Sequence, residues 1–299
     1  MRISTSTIYD AGVGSMQEQS GRLLQTQQQI ASGRRMLTPA DDPVAAARAL
    51  DVSQSQSINT QHLTNSSNAS DSLGLEESVL GSITGVLQNV RDLAVNAGSG
   101  ILNQSDRSTL ANALRGSYQE LLGLANSTDG NGQYIFSGYQ GGVRPFVASA
   151  TGAVTYKGDQ GQRLIQVSPS RQIAVNDAGE DIFLKNQNVF ATINDLATLL
   201  ETSSGSTLTT GVATALSNLD NALANVSTVR TSTGLRLQEL DAVKNSADDR
   251  ALQYSQTLSR LQDVDYAKAA SDLTQLQVNL EAAQKSFVKV AGLSLFSYL

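Results

Sequence analysis

Apolar positions along this chain recur mostly at the three- and four-residue spacing of one helix face. From Leu73 they run through Leu80, Ile83, Leu87, Val90, Ala94 and Ala97, with Glu76 the single interruption, and stop at Asn96-Ala97-Gly98-Ser99-Gly100. A new helix is predicted to begin at Ser105 or Asp106, either able to cap it, and to carry Leu110, Leu114, Leu121 and Leu124. Val212, Leu216, Leu219, Leu223 and Val226 repeat the pattern. The most regular stretch is C-terminal: Tyr266, Ala269, Leu273, Leu276, Leu280, Ala283, Phe287 and Val290 follow one another at a/d-type spacing. At about 1.5 Å rise per residue they span roughly 36 Å. A seam so narrow predicts a coiled coil.

The N-terminal arm is weaker. Tyr9, Met16, Leu23 and Ile30 recur every seventh residue, but the alternate positions are mostly polar, as at Ser20 and Gln27. One apolar residue per two turns cannot offset backbone ordering of about 1–2 kcal/mol per residue. The arm is therefore expected to order only against a partner, either the C-terminal seam of its own chain or that of a neighbouring copy. The candidate assembly interface is accordingly Tyr9, Met16, Leu23 and Ile30 with Tyr266, Leu273, Leu276, Leu280, Phe287 and Val290. A core helix of an ordinary bundle is the plainer reading of such a seam. Its narrowness, its place near the C-terminus and its weak mate favour assembly.

Between about Asn131 and Leu184 the pattern changes to strands. Tyr134-Ile135-Phe136 is followed by a glycine-rich turn, Gly138 to Gly142. Val154-Thr155-Tyr156 and Leu164-Ile165-Gln166-Val167 flank Lys157 to Gln162, which reads as a hairpin loop. Ile173-Ala174-Val175 then enters a turn at Asn176-Asp177-Ala178-Gly179. The four prolines, at 39, 43, 145 and 169, leave 44–144 and 170–299 free of the main helix breaker. The predicted fold is mainly α with a small β insertion, a nested helical hairpin. Residues 1–42 and 258–299 would form a terminal coiled coil, 43–130 and 185–257 a helical bundle, and 131–184 an outer β-rich domain.

Composition narrows the function. Only 16% of residues are charged and the net charge is -6, with no basic stripe, so nucleic-acid binding is not expected. A polar but uncharged surface packs against copies of itself at little desolvation cost. Cysteine is absent, which excludes disulfides and thiolate metal sites. No apolar run approaches 18 residues, so no membrane insertion is expected. Arg2 to Thr7 hold no apolar core of a cleaved secretory signal.

No catalytic, cofactor-binding or metal-ligating residue emerges, and neither an enzyme nor a cofactor is expected. The lone His62 lies in a polar helical stretch and reads as solvated. Asp41 and Asp42 are adjacent at a helix entry, where they cannot converge on one substrate, so capping explains them better. Asp248-Asp249 reads as a solvated helix face. The glycine-rich turns match no phosphate loop.

Ile30-Ala31-Ser32-Gly33-Arg34-Arg35 and Pro39-Ala40-Asp41-Asp42-Pro43-Val44-Ala45-Ala46 resemble the N-terminal signature of the flagellin superfamily. Its physical sense is plain: Gly33 can stop the first helix, and Asp42 can cap the next with Pro43 at the first helical position. Asn279, Leu280, Phe287, Val290 and Leu293 continue the likeness in the tail. Leu124 to Gly138, Pro145-Phe146, Tyr156 to Asp159, Val175 to Gly179 and the ending Leu295-Phe296-Ser297-Tyr298-Leu299 are similar to the hook–filament junction branch of that superfamily. The resemblance implies a structural subunit exported unfolded through the flagellar type III apparatus. Its implied partners are the other hook-associated protein, flagellin, copies of itself and an export chaperone bound at the C-terminal region. Its implied location is the extracellular flagellum. A flagellin filament subunit is the nearest alternative. A signalling coiled coil is disfavoured by the β insert and the lack of an apolar span, and sugar binding by aromatics of 131–184 is disfavoured because the few present are mostly needed for the small core.

Overall fold

The computed structural model describes residues 5–99, 102–185 and 187–292. The chain is mainly helical with small antiparallel strand pairs, as its patterning predicts. Its elements are α1 (Thr5–Ser32), α2 (Pro43–Ala97), α3 (Gln104–Ala125), β1 (Phe146–Ala148), β2 (Val154–Tyr156), β3 (Leu164–Ser168), β4 (Arg171–Ala174), α4 (Gly179–Phe183), α5 (Val189–Thr202), α6 (Gly205–Gln262) and α7 (Tyr266–Gly292). Two compact units result. One holds the chain up to Ile58 and from Asp249; the other holds Asn59–Asp248.

In the larger unit α2 and α6 run antiparallel, tied by Arg230–Glu77 and Arg91–Asp220 ion pairs and by Asn59 Nδ2, which donates to the Ala247 carbonyl at 2.7 Å. The α2 face predicted from Leu73 to Ala97 is buried. From Leu80 onward it packs with Leu114, Leu121, Ile193, Leu196, Leu219 and Val226 in one large cluster. Asn103 caps α3 by accepting the Asp106 N–H at 2.9 Å, so the cap falls two residues before the predicted Ser105.

The strands depart from the expected pairing. β1 pairs with β2 and β3 with β4, giving two separate two-stranded sheets. Lys157 to Gln162 therefore joins two hairpins instead of closing one. Asp159 causes this: its Oδ1 accepts the N–H groups of Tyr139 and Gly161, both at 2.8 Å, and turns the chain aside. The true turns lie at Ser149–Gly152, where Gly152 has φ +82, and at Pro169-Ser170. Tyr134-Ile135-Phe136 is also not a strand. Ile135 and Phe136, both buried, lie in a turn, and only Tyr134 makes an isolated bridge, to Thr128. Asn176-Asp177-Ala178-Gly179, expected as a turn, is instead a buried extended segment that enters α4 at Gly179.

A lone two-stranded hairpin is marginal in water. Each one here lies on the helices. Phe146 of β1 sits 5.1 Å from Phe183 and 5.4 Å from Phe190 between ring centroids, in the large cluster. Val167 and Ile173 of β3–β4 join Ala69, Leu73 and Leu240 in a second, smaller cluster. The aromatics of this region are thus mostly core, and Tyr139 is the exposed one, at 66%.

Candidate assembly interface

The smaller unit is organised by its elbows. Ser32 ends α1 because Gly33 takes φ +70, open to glycine and costly for other residues. Asp41 Oδ2 accepts the N–H groups of Leu37 and Thr38, both at 2.8 Å, and these bonds hold its carboxyl below the usual range. Asp42 Oδ1 accepts the Ala45 N–H at 3.0 Å, capping α2 with Pro43 in the first turn; that bond lowers its pKa as well. Asp42 is thus the cap that the sequence predicts, whereas Asp41 holds the loop before the helix. Across the elbow, Val264 N–H donates to the Gly33 carbonyl at 2.9 Å and Arg35 N–H to that of Gln262 at 2.7 Å. Asp265 Oδ1 accepts the Lys268 N–H at 3.1 Å and so starts α7.

From this junction α1 and α7 run back along each other antiparallel. Tyr266 starts beside Gly33, and near the other end Tyr9 meets Phe287 with ring centroids 4.9 Å apart. Met16, Leu23 and Ile30 on α1 and Leu273, Leu276, Leu280 and Phe287 on α7 are half-buried on the facing sides. Tyr9 is 54% exposed and Tyr266 59%. Val290 lies on α7, but its side chain is outside the described residues, as are Leu293 and Leu295–Leu299.

Three features of this pair escaped the reading of the sequence. The alternate α1 position is Thr26, half-buried, and not Gln27, which is exposed. Gly12 matters because a Cβ there would stand 2.8 Å from the Phe287 ring, so the missing side chain lets the helices approach. Among the described seam residues only Ala269 is buried, at 6%. Positions 12, 19, 26 and 33 also recur every seventh residue, in step with 9, 16, 23 and 30, and that second series was the available signal. His62, expected to be solvated, is half-buried on α2, and its Nδ1 has no hydrogen-bond partner among the described residues.

Among the described residues no group of three or more His, Asp or Glu side chains is placed to hold a metal. No described helix is long and apolar enough to cross a membrane. What the unit offers is two long amphipathic faces made from opposite ends of one chain.

Comparison with known proteins agrees with that geometry. The model of the bacterial flagellin N-terminal helical region matches residues 3–141, and that of the C-terminal helical region matches 216–299. Flagellar hook-associated protein 3 of Escherichia coli is 34% identical over 99% of this chain and 99% of its own length. The chain belongs to the hook-associated protein 3 family. The Salmonella typhimurium member of the family is equally similar, at 34% over the same shares. The flagellin of Bacillus subtilis is more distant, 27% identical over 86% of this chain. Solved structures share the fold. A flagellar hook-associated protein from Vibrio parahaemolyticus superposes with a TM-score of 0.71 at 23% identity, covering 75% of this chain and all of its own. The flagellar junction protein FlgL of Legionella pneumophila gives 0.64 at 20% identity, covering 72% of this chain and all of its own.

Proposed function

We propose that this chain is the structural subunit that joins hook to filament in the bacterial flagellum, and that it assembles through its terminal helices. The observation that carries this reading is the full-length likeness to hook-associated protein 3, well above that to flagellin. The half-buried α1–α7 seam supports the mode of assembly, since apolar positions left open by one partner suit a second. In this reading residues 1–42 and 258–299 form an inner layer, 43–130 and 185–257 a second, and 131–184 an outer one. The neighbours are the other hook-associated protein on one side and flagellin on the other, with copies of the same chain between. Heterologous contacts of this kind would polymerise wherever two folded subunits met. Export of an unfolded chain, with a chaperone covering the C-terminal seam, avoids that, because the ordering cost is then offset only by burial at the growing tip. The role is mechanical, without catalysis.

Electron microscopy of a strain lacking the chain tests the proposal. Hooks without filaments, with flagellin shed into the medium, is the expected phenotype. Restoration of filaments by the wild-type chain but not by Leu280→Asp would tie the role to the seam. Filaments of normal length on the deletion strain would overturn it.

A further inference from the structure

Glu76 occupies a core position. It stands on the same α2 face as Ala69 and Leu73 on one side and Leu80 and Ile83 on the other, and it is fully buried. Leu73 belongs to the cluster under β3–β4, and Leu80 to the large cluster of the bundle. The carboxyl therefore sits at the boundary of two apolar cores. Its Oε1 accepts the Asp177 backbone N–H at 3.0 Å, while Oε2 is buried with no hydrogen-bond partner among the described residues.

Charged groups reach this place from three other segments. Asp177 comes from the loop after β4, Arg236 from α6, and Arg163 from the turn before β3. Arg236 and Asp177 pair with each other, their side chains only 14% and 13% exposed. Arg236 also donates to the Ala174 carbonyl at 3.1 Å and to Thr233 Oγ1 at 3.3 Å. Asp177 Oδ1 accepts from Gln162 at 2.9 Å, and Arg163 donates to Gln133 Oε1 at 3.1 Å. Arg236 is thus engaged elsewhere, Arg163 is held through Nη1 while its Nε is buried without a hydrogen-bond partner among the described residues, and no ion pair among them reaches Glu76.

A buried carboxylate with one bare oxygen and a second carboxylate nearby is far costlier than a neutral acid with one idle hydroxyl. We propose that Glu76, held as the neutral acid, is a proton-dependent clasp that fixes the β3–β4 hairpin and its exit loop to α2 and α6, and that losing the proton loosens that hairpin. Besides Glu76, the buried Arg236–Asp177 pair and the Arg236 bond to the Ala174 carbonyl hold the exit loop to α6, and the remaining ties are weaker. Arg171–Glu239 is an exposed pair, Asn65 Nδ2 donates to the Gln166 carbonyl at 2.8 Å, and the apolar contact is the small cluster. On ionisation, the cheapest relief is water reaching the carboxylate past residues 174–178. That segment belongs mostly to no helix or strand, whereas α2 cannot move without breaking both cores.

Burial first, then Asp177, pushes the Glu76 pKa up to about 8, with Arg236, the Asp177 N–H and Arg163 opposing. The folded state therefore keeps a proton that the opened state gives up above the ordinary glutamate value of 4.5. Holding is full below that value, falls as pH rises, and levels off once pH passes about 8.

Amide exchange of the full chain, followed by mass spectrometry across this range and corrected for intrinsic rates, reads the effect. Peptides within 162–178 should open up to about tenfold more per pH unit inside the window. Glu76→Gln keeps the size and the acceptor for Asp177 but carries no charge, so its profile should be flat. A wild-type slope in Glu76→Gln would overturn the clasp. So would the same slope in α3 and α5 peptides, which would mean unfolding of the whole unit. If the variant does not fold, a carbon-13 titration of the wild-type Glu76 carboxyl decides instead, and a midpoint near the ordinary glutamate range would sink the proposal.

Discussion

The α1–α7 pair and the α2–α6 bundle follow one periodicity and end in opposite states. On α2, Leu73, Leu80, Ile83, Leu87, Val90 and Ala94 are almost wholly removed from water. On α1 and α7 the described equivalent positions remain half-exposed, Ala269 excepted. The side chains are no less apolar; the number of partners differs. In the bundle α3, α5 and the two hairpins close over the seam, whereas the terminal pair consists of two helices alone. An a/d series thus says which face a helix buries, not how completely. A pair that buries half its seam gains about half of the roughly 1.5–3 kcal/mol available per large apolar side chain. That is small against about 1–2 kcal/mol of backbone ordering per residue.

The contrast can be broken most sharply by proteolysis of the isolated subunit. Cleavage within α1 and α7 should outrun cleavage of the bundle by roughly a hundredfold or more, since only the bundle demands cooperative opening. Equal resistance of both regions would show the terminal pair to be stable alone. Next comes Phe146→Ala, which removes a ring packed against Tyr156, Phe183 and Phe190. It should lower unfolding free energy by about 3–5 kcal/mol in denaturant titrations. Arg236→Met leaves Asp177 buried and unpaired and should cost about 3 kcal/mol by the same measurement. Leu276→Asp, at a half-exposed seam position, should cost the isolated subunit about 1 kcal/mol or less yet abolish assembly, as scored by motility. A loss comparable to that of Phe146→Ala would place the seam among finished cores.

Much of this was legible beforehand. The helices of α2, α3, α6 and α7 were visible in spacing alone, and Gly33, Asp42 and Pro43 announced the first elbow by their backbone chemistry. The strand pairing was misread because Lys157 to Gln162 has the composition of a hairpin loop. Its actual course depends on Asp159 binding Tyr139, a partner no local pattern reveals. Glu76 looked like a lapse in an apolar series. In space it keeps the register of that series and meets Asp177 across 101 positions of chain.

Periodicity, caps and breakers act within a few residues, and so the sequence by itself determined where helices run, which face of each is apolar and where the chain turns. Family membership likewise follows from the order of those local features. The tertiary structure alone decided which seams are sealed and which stay half open, which strands pair, and that one carboxyl is stranded between two cores. Burial depends on how many distant segments converge on a side chain. Distance along a chain carries no such count.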